Sequence, residues 1–194
     1  GHLKGQRATT FFYFIDSLKK DEPTCTPVHD ERFVDNGKII TTAGLSSGID
    51  GALHLIERYG TRYDARQCAL GLEYNWQPEL NWARGGLADR HYISMDGQGF
   101  DFPKGAVKGW KTVEKDGTVD RWTKKWTFES SAAREELLKY FAGKFASRWT
   151  KVAETADGST WSFKDDKGRP WTASLKLTVE GGERRVATLD LARG

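Results

Sequence analysis

The residue types and spacings able to do chemistry gather around one turn and one loop. Gly44-Leu45-Ser46-Ser47-Gly48 matches G-x-S-x-G, the pattern that sets a nucleophilic serine on a sharp turn between a strand and a helix. Asp89 and His91 follow Ser46 in the order serine, acid, histidine that a hydrolytic triad can use, although only one residue separates them. The plainer reading of the segment is a tight turn with Ser46 or Ser47 capping the helix. Between these readings lies ligand contact, because the free N–H groups at a helix start favour an anion. Cys25 stands between Thr24 and Thr26 in a proline-bounded loop, four residues before His29. A thiol there is a nucleophile only if a helix N-terminus, an imidazole or a cation lowers its pKa. The candidate nucleophiles are therefore Ser46 and Cys25, with no catalytic residue expected to operate in this chain by itself.

Other titratable groups read as structural. Cys68 falls on the apolar stripe of a helix and is expected to be a small core residue. His54 follows Asp50 by four positions, the spacing of a surface pair on a helix. The two cysteines and the histidines at 2, 29, 54 and 91 have no paired metal-ligand spacing, so no metal site and no cofactor are expected.

The elements that must position these groups can be read from periodicity. Phe11, Phe14, Ile15 and Leu18 recur at helical spacing behind a capping Thr10. Arg32–Asp35 and Lys38–Thr42 flank Asn36-Gly37, which predicts a hairpin whose two central residues both have positive φ. The second strand runs into the Gly44–Gly48 turn, and a helix follows with Ile49, Ala52, Leu53 and Ile56 on one face. A further helix spans about Asp64 to Leu72. Tyr74 and Trp76 are expected to pack on the sheet. From about Gly85 to Gly109 periodicity is lost and glycines accumulate, which marks a connection. The expected organisation is an α/β domain at residues 1–90, a linker at 91–109 and a tryptophan-rich α+β domain at 110–194.

In that second domain Trp122, Trp126 and Phe128 share strand parity. Ser130 or Ser131 caps a helix carrying Glu135 and Glu136 early and Leu137, Leu138, Phe141 and Phe145 as its stripe. Strands follow at Trp149–Thr155, Thr160–Lys164, Trp171–Glu180 and Arg184–Leu191, separated by Asp157-Gly158, Lys167-Gly168 and Gly181-Gly182. Leu175, Leu177 and Val179, with Ala187, Leu189 and Leu191, are expected to face the helix. Trp122, Trp126, Trp149, Trp161 and Trp171 read as the filling of a small core rather than a ligand groove. Lys124, Lys125, Lys164, Lys167 and Arg169, interspersed with Asp157, Asp165 and Asp166, read as a solvated face.

Composition bounds the rest. The chain has 194 residues, 30 Lys+Arg against 27 Asp+Glu, and so carries no electrostatic footprint for nucleic acid. No run of about 18 apolar residues could span a membrane, and no signal peptide is visible. Two cysteines point to a reducing, cytoplasmic setting.

Gly5–Thr10 (GQRATT) and Arg32–Tyr59 (RFVDNGKIITTAGLSSGIDGALHLIERY) resemble the ThiJ/PfpI family, particularly its isonitrile hydratase-like branch, and the resemblance covers about residues 1–87. It implies part of an open, flavodoxin-like sheet of the class I glutamine amidotransferase-like kind, with the reacting centre at the carboxyl ends of parallel strands. Complete members use a cysteine thiolate for lyase or hydrolase chemistry. The resemblance places that cysteine, and an acidic partner, upstream of the segment matching His2–Arg7, so this chain resembles the later portion of such a domain. Many members carry histidine after the Thr-Thr pair, where Phe11 stands here and can neither accept nor donate a proton. The expected ligand contacts are Thr9, Thr10, Gly44, Ser46 and Ser47, with a small molecule as ligand. An exposed sheet edge then needs a cover. A second copy of the chain, the α+β unit or a polypeptide bearing the missing half could each supply it. Two further readings stay open: a non-catalytic ligand-sensing or interaction module, and a serine hydrolase using Ser46.

Overall fold

The computed structural model describes residues 1–80, 82–92, 102 and 105–194. They form two compact units, Gly1–Leu87 and Ala88–Gly194. Of the 91–109 stretch expected as a linker, residues 93–101, 103 and 104 lie outside the described residues, and Gly97, Gly99 and Pro103 with them.

The first unit opens with β1 (Arg7–Ala8), α1 (Ile15–Asp21) and β2 (Thr26–Pro27), with β1 and β2 paired in parallel. Next come β3 (Phe33–Asp35) and β4 (Ile40–Thr42), an antiparallel pair, and the helices α2 (Leu45–Tyr59) and α3 (Arg62–Gly71). The open sheet expected here is not formed among the described residues. Its strands make two separate two-stranded ladders, each too short to build a sheet face alone. The β3–β4 hairpin is where the sequence places it, but only Gly37 has positive φ, because Asn36–Ile39 close a four-residue loop instead of a two-residue turn.

The first helix departs from its expected form. Phe12–Phe14 is a single tight turn, Thr10 caps nothing, and of the expected stripe only Ile15 is buried, while Phe11 and Phe14 are exposed. Helix α2 buries Ser47, Asp50, Gly51 and Leu53, and Ala52 faces solvent. The buried face is the one whose small residue admits β4. A Cβ on Gly51 would lie 2.7 Å from Thr42 Cγ2. Helix α3 is held by a capping box in which Thr61 and Asp64 satisfy one another's backbone N–H groups. Its stripe narrows to Ala65 and Ala69, so Cys68 is exposed, contrary to its expected burial.

The second unit is a six-stranded antiparallel sheet with one helix. Its strands are β5 (Lys108–Gly117), β6 (Arg121–Glu129), β7 (Thr150–Thr155), β8 (Gly158–Lys164), β9 (Pro170–Gly181) and β10 (Arg184–Arg193), ordered β5-β6-β10-β9-β8-β7. Helix α4 (Arg134–Phe145) joins β6 to β7. Leu137, Leu138, Phe141 and Phe145 on α4 are buried, as are Trp122, Trp126, Phe128, Trp161, Trp171, Leu175, Leu177, Ala187, Leu189 and Leu191 on the strands. Strand parity and helical spacing therefore meet in one core. The tryptophans read as core filling are core.

Four details differ. Ala133, without a side-chain cap, precedes α4, because Ser130 Oγ donates to Ala106 O and Ala132 N to Ser130 Oγ. Val179 is 39% exposed, near the end of β9. Lys124 is buried, since it alternates with Trp122 and Trp126 on the inner side of β6, and its ammonium lies 5.3 Å from the Trp126 ring centroid. Strand β5 carries no buried residue, which leaves no alternation in its sequence to mark it.

Candidate functional site

In the first unit, the chain before α1 and the turn between β4 and α2 enclose a cleft of about 530 Å³. Thr10, Phe11 and Phe12 form one wall, and Ala43, Gly44, Leu45, Ser46 and Ser47 another. Trp82, Arg84 and Leu87 return along the third, with the Arg84 guanidinium 4.8 Å from the Phe12 ring centroid. The volume is within the range of small-molecule sites, and most of the lining is apolar or aromatic.

The turn works by leaving the start of α2 open. Gly44 is the N-cap residue, and no side chain accepts from the first-turn N–H groups there. Ser46 and Ser47 therefore do not cap the helix. They stand within its first turn, Ser46 exposed and Ser47 buried, and both line the cleft. The uncapped N–H groups and helix dipole favour electron-rich atoms at this end.

Arg32, just before β3, borders the cleft and connects it to a buried polar cluster. Its Nε ion-pairs with Asp50, and its Nη2 donates to Ser46 Oγ at 3.1 Å and to Tyr74 OH at 3.4 Å. The Tyr74 hydroxyl donates in turn to Asp50 Oδ1 at 2.9 Å. Burial first, then the bond to Asp50, raises the Tyr74 pKa, so the phenol keeps its proton and serves as a donor. Asp50 thus pairs with Arg32 and Tyr74 rather than with His54. The imidazole instead meets Asp35 at 2.8 Å and stacks on Phe33, with centroids 4.7 Å apart. The bond from His54, followed by one from the Gly37 backbone, lowers the Asp35 pKa.

The cleft brings Thr10, Gly44, Ser46 and Ser47 together, while Thr9 is buried and does not line it. Thr9 donates its backbone N–H to Thr41 Oγ1 at 3.0 Å. Cys25 is completely buried and Cys68 lies on the outside of α3, so neither thiol lines the cleft. Ser46 Oγ bonds to a guanidinium, which only donates and cannot remove the hydroxyl proton. Asp89 and His91, which the alternative serine reading would use, belong to the second unit, where His91 packs on Trp171 and Phe163. Among the described residues, no group of three or more His, Cys, Asp and Glu could hold a metal, and no helix is long and apolar enough to cross a membrane.

Arg32, Trp82 and Arg84 are cleft residues that motif reasoning missed, and His29, weighed only as a neighbour of Cys25, lines the cleft as well. One signal was present: Asp50 sits on the same helical face as Ser47 and Leu53, and a carboxylate on a buried face requires a cation. Neither a protein-family model nor a curated protein matches the chain.

Proposed function

We propose that the first unit is the later portion of a ThiJ/PfpI-type domain of the isonitrile hydratase-like branch, and that its cleft binds a small ligand without transforming it. The observation carrying this reading is the mainly apolar cleft that gathers Thr10, Gly44, Ser46 and Ser47 while both thiols lie elsewhere. The ligand it suits has an apolar body against Phe11, Phe12 and Trp82 and an electron-rich end toward the start of α2. Thiol chemistry at this site would need a sulfur from outside these 194 residues. Leu45, 93% exposed and lining the cleft with exposed Phe11, supports a protein cover over this region, from a second copy or a chain carrying the missing half.

Ligand-observed NMR with cyclohexyl isocyanide, a compact apolar isonitrile, tests the reading. Saturable binding without formation of the N-formyl product is expected, and Thr10→Trp should abolish it by filling the cleft. Absence of binding would refute the ligand assignment; turnover that requires Ser46 would instead establish the serine reading.

A further inference from the structure

The polar groups around the first unit's cleft specify more than an electron-rich ligand end. Its charged lining residues are Arg32 and Arg84, and among the described residues no Asp or Glu lines it. Arg32 pairs with Asp50, which is not part of the lining. A guanidinium carries five N–H donors and no acceptor, so even a paired one adds hydrogen bonds in one direction only. The cleft is rich in donors.

The start of α2 extends that inventory. Gly44 is the N-cap residue and its carbonyl accepts from Gly48 N at 2.8 Å, so the N–H groups of Leu45, Ser46 and Ser47 precede the first bond within the helix. No side chain caps them. Ser47 is a second, independent observation: it is 4% exposed, it lines the cleft, and its hydroxyl makes no hydrogen bond among the described residues. A buried hydroxyl left without a partner is costly, and a ligand atom in the cleft would relieve that cost. Ser46 Oγ already accepts from Arg32 Nη2 at 3.1 Å, which leaves its own hydroxyl proton to be donated. Most of the remaining lining is apolar, and Phe11, Leu45 and Trp82 keep exposed surface there.

We propose that the ligand of this cleft is an apolar carboxylic acid bound as its anion. Its carboxylate accepts from the Ser47 hydroxyl and the first-turn N–H groups of α2, and its hydrocarbon body lies against Phe11, Leu45 and Trp82. The inference rests on the ligand-binding reading above and narrows the ligand's electron-rich end to a full negative charge. A carboxylate is acceptor-only, so it uses several converging donors and brings no donor of its own that would need a partner. An amide brings an N–H group that no carboxylate in the lining can receive, and an ammonium would meet two guanidinium groups and the positive end of a helix.

Isothermal calorimetry on the full chain at neutral pH, with cyclohexanecarboxylate, cyclohexanecarboxamide and cyclohexyl isocyanide, tests the assignment, because the three share one ring and differ in the headgroup. The carboxylate is expected to bind saturably, about ten-fold more tightly than the carboxamide, and to displace the isocyanide. Ser47→Ala should weaken the carboxylate by about ten-fold and narrow its advantage over the carboxamide. The comparison of headgroups uses the unaltered protein and so does not depend on a variant folding. Equal binding of carboxylate and carboxamide, or carboxylate affinity unchanged in Ser47→Ala, would overturn the headgroup assignment, and isocyanide binding in the same experiment would leave the cleft reading in place. Binding of none of the three would overturn both.

Discussion

Arg32 and Asp50 stand 18 residues apart, one before β3 and the other inside α2, and their ion pair fastens the hairpin to the helix at the edge of the cleft. The side chains are only 14% and 8% exposed, so each charge depends on the other for solvation. Asp50→Ala would take the carboxylate away from the Arg32 guanidinium and leave the Tyr74 hydroxyl without the oxygen to which it donates. The expected loss is about 3 kcal/mol, at the lower end for a broken buried pair because some solvent still reaches Arg32. Hydrogen exchange of the α2 amides should report it; protection unchanged from the parent chain would mean that the pair does not hold the unit together.

Close packing of α2 on β4 gives a second prediction. Gly51→Ala gains about 1 kcal/mol of helix propensity but drives a methyl to 2.7 Å from Thr42 Cγ2, an overpacking worth about 1–3 kcal/mol. The single substitution should destabilise. Combining it with Thr42→Ser, which removes the opposing methyl, should recover stability in denaturant titration. Equal stability of the single and double variants would contradict this account of the glycine.

Asp165 is expected to stabilise the second unit well into acid. Burial alone would raise its pKa, but bonds from the Arg169 backbone, the Trp171 indole, the Arg169 side chain and the Lys167 backbone outweigh it and hold the carboxyl far below the usual range. A depressed folded-state pKa means the stabilisation is fully present above the unfolded value, near 3.9, and is lost only as pH falls through the lower folded value. Asp165→Asn should therefore cost about 1.5–3 kcal/mol from pH 5 to 8, with the difference shrinking as the parent carboxylate becomes protonated in strong acid. A difference that grew on acidification would have the wrong sign.

The two cysteines should separate by accessibility. Cys68 is exposed and Cys25 is sealed, with Lys19 Nζ donating to its carbonyl at 3.0 Å. Iodoacetamide should modify Cys68 in the native chain and Cys25 only after unfolding, with mass spectrometry assigning each site. Rapid native modification of Cys25 would return it to the list of accessible nucleophiles.

These contrasts mark how far the sequence could be read. The second unit was legible because Trp122, Trp126 and Phe128 alternate along a strand and Leu137, Leu138, Phe141 and Phe145 recur along a helix, so local period and burial agree. Strand β5 escaped because nothing on it is buried. The first unit was harder: Phe11 and Phe14 have helical spacing without burial, and the face of α2 that packs is its small and polar one. At the candidate site, the strand-to-helix junction near Gly44 could be located from sequence, but the helix begins at Leu45, so Ser46 and Ser47 lie in its first turn and not in a turn ahead of it. The connection to Arg32 could not be located, because a pair 18 residues apart has no local period.

The most direct test of the ligand assignment is an amide shift map of the 194-residue chain titrated with cyclohexyl isocyanide. The predicted result is saturable perturbation concentrated at Thr10, Phe11 and Gly44–Ser47, with the isonitrile recovered intact. Shifts absent from this segment, or clustered elsewhere in the chain, would contradict the assignment.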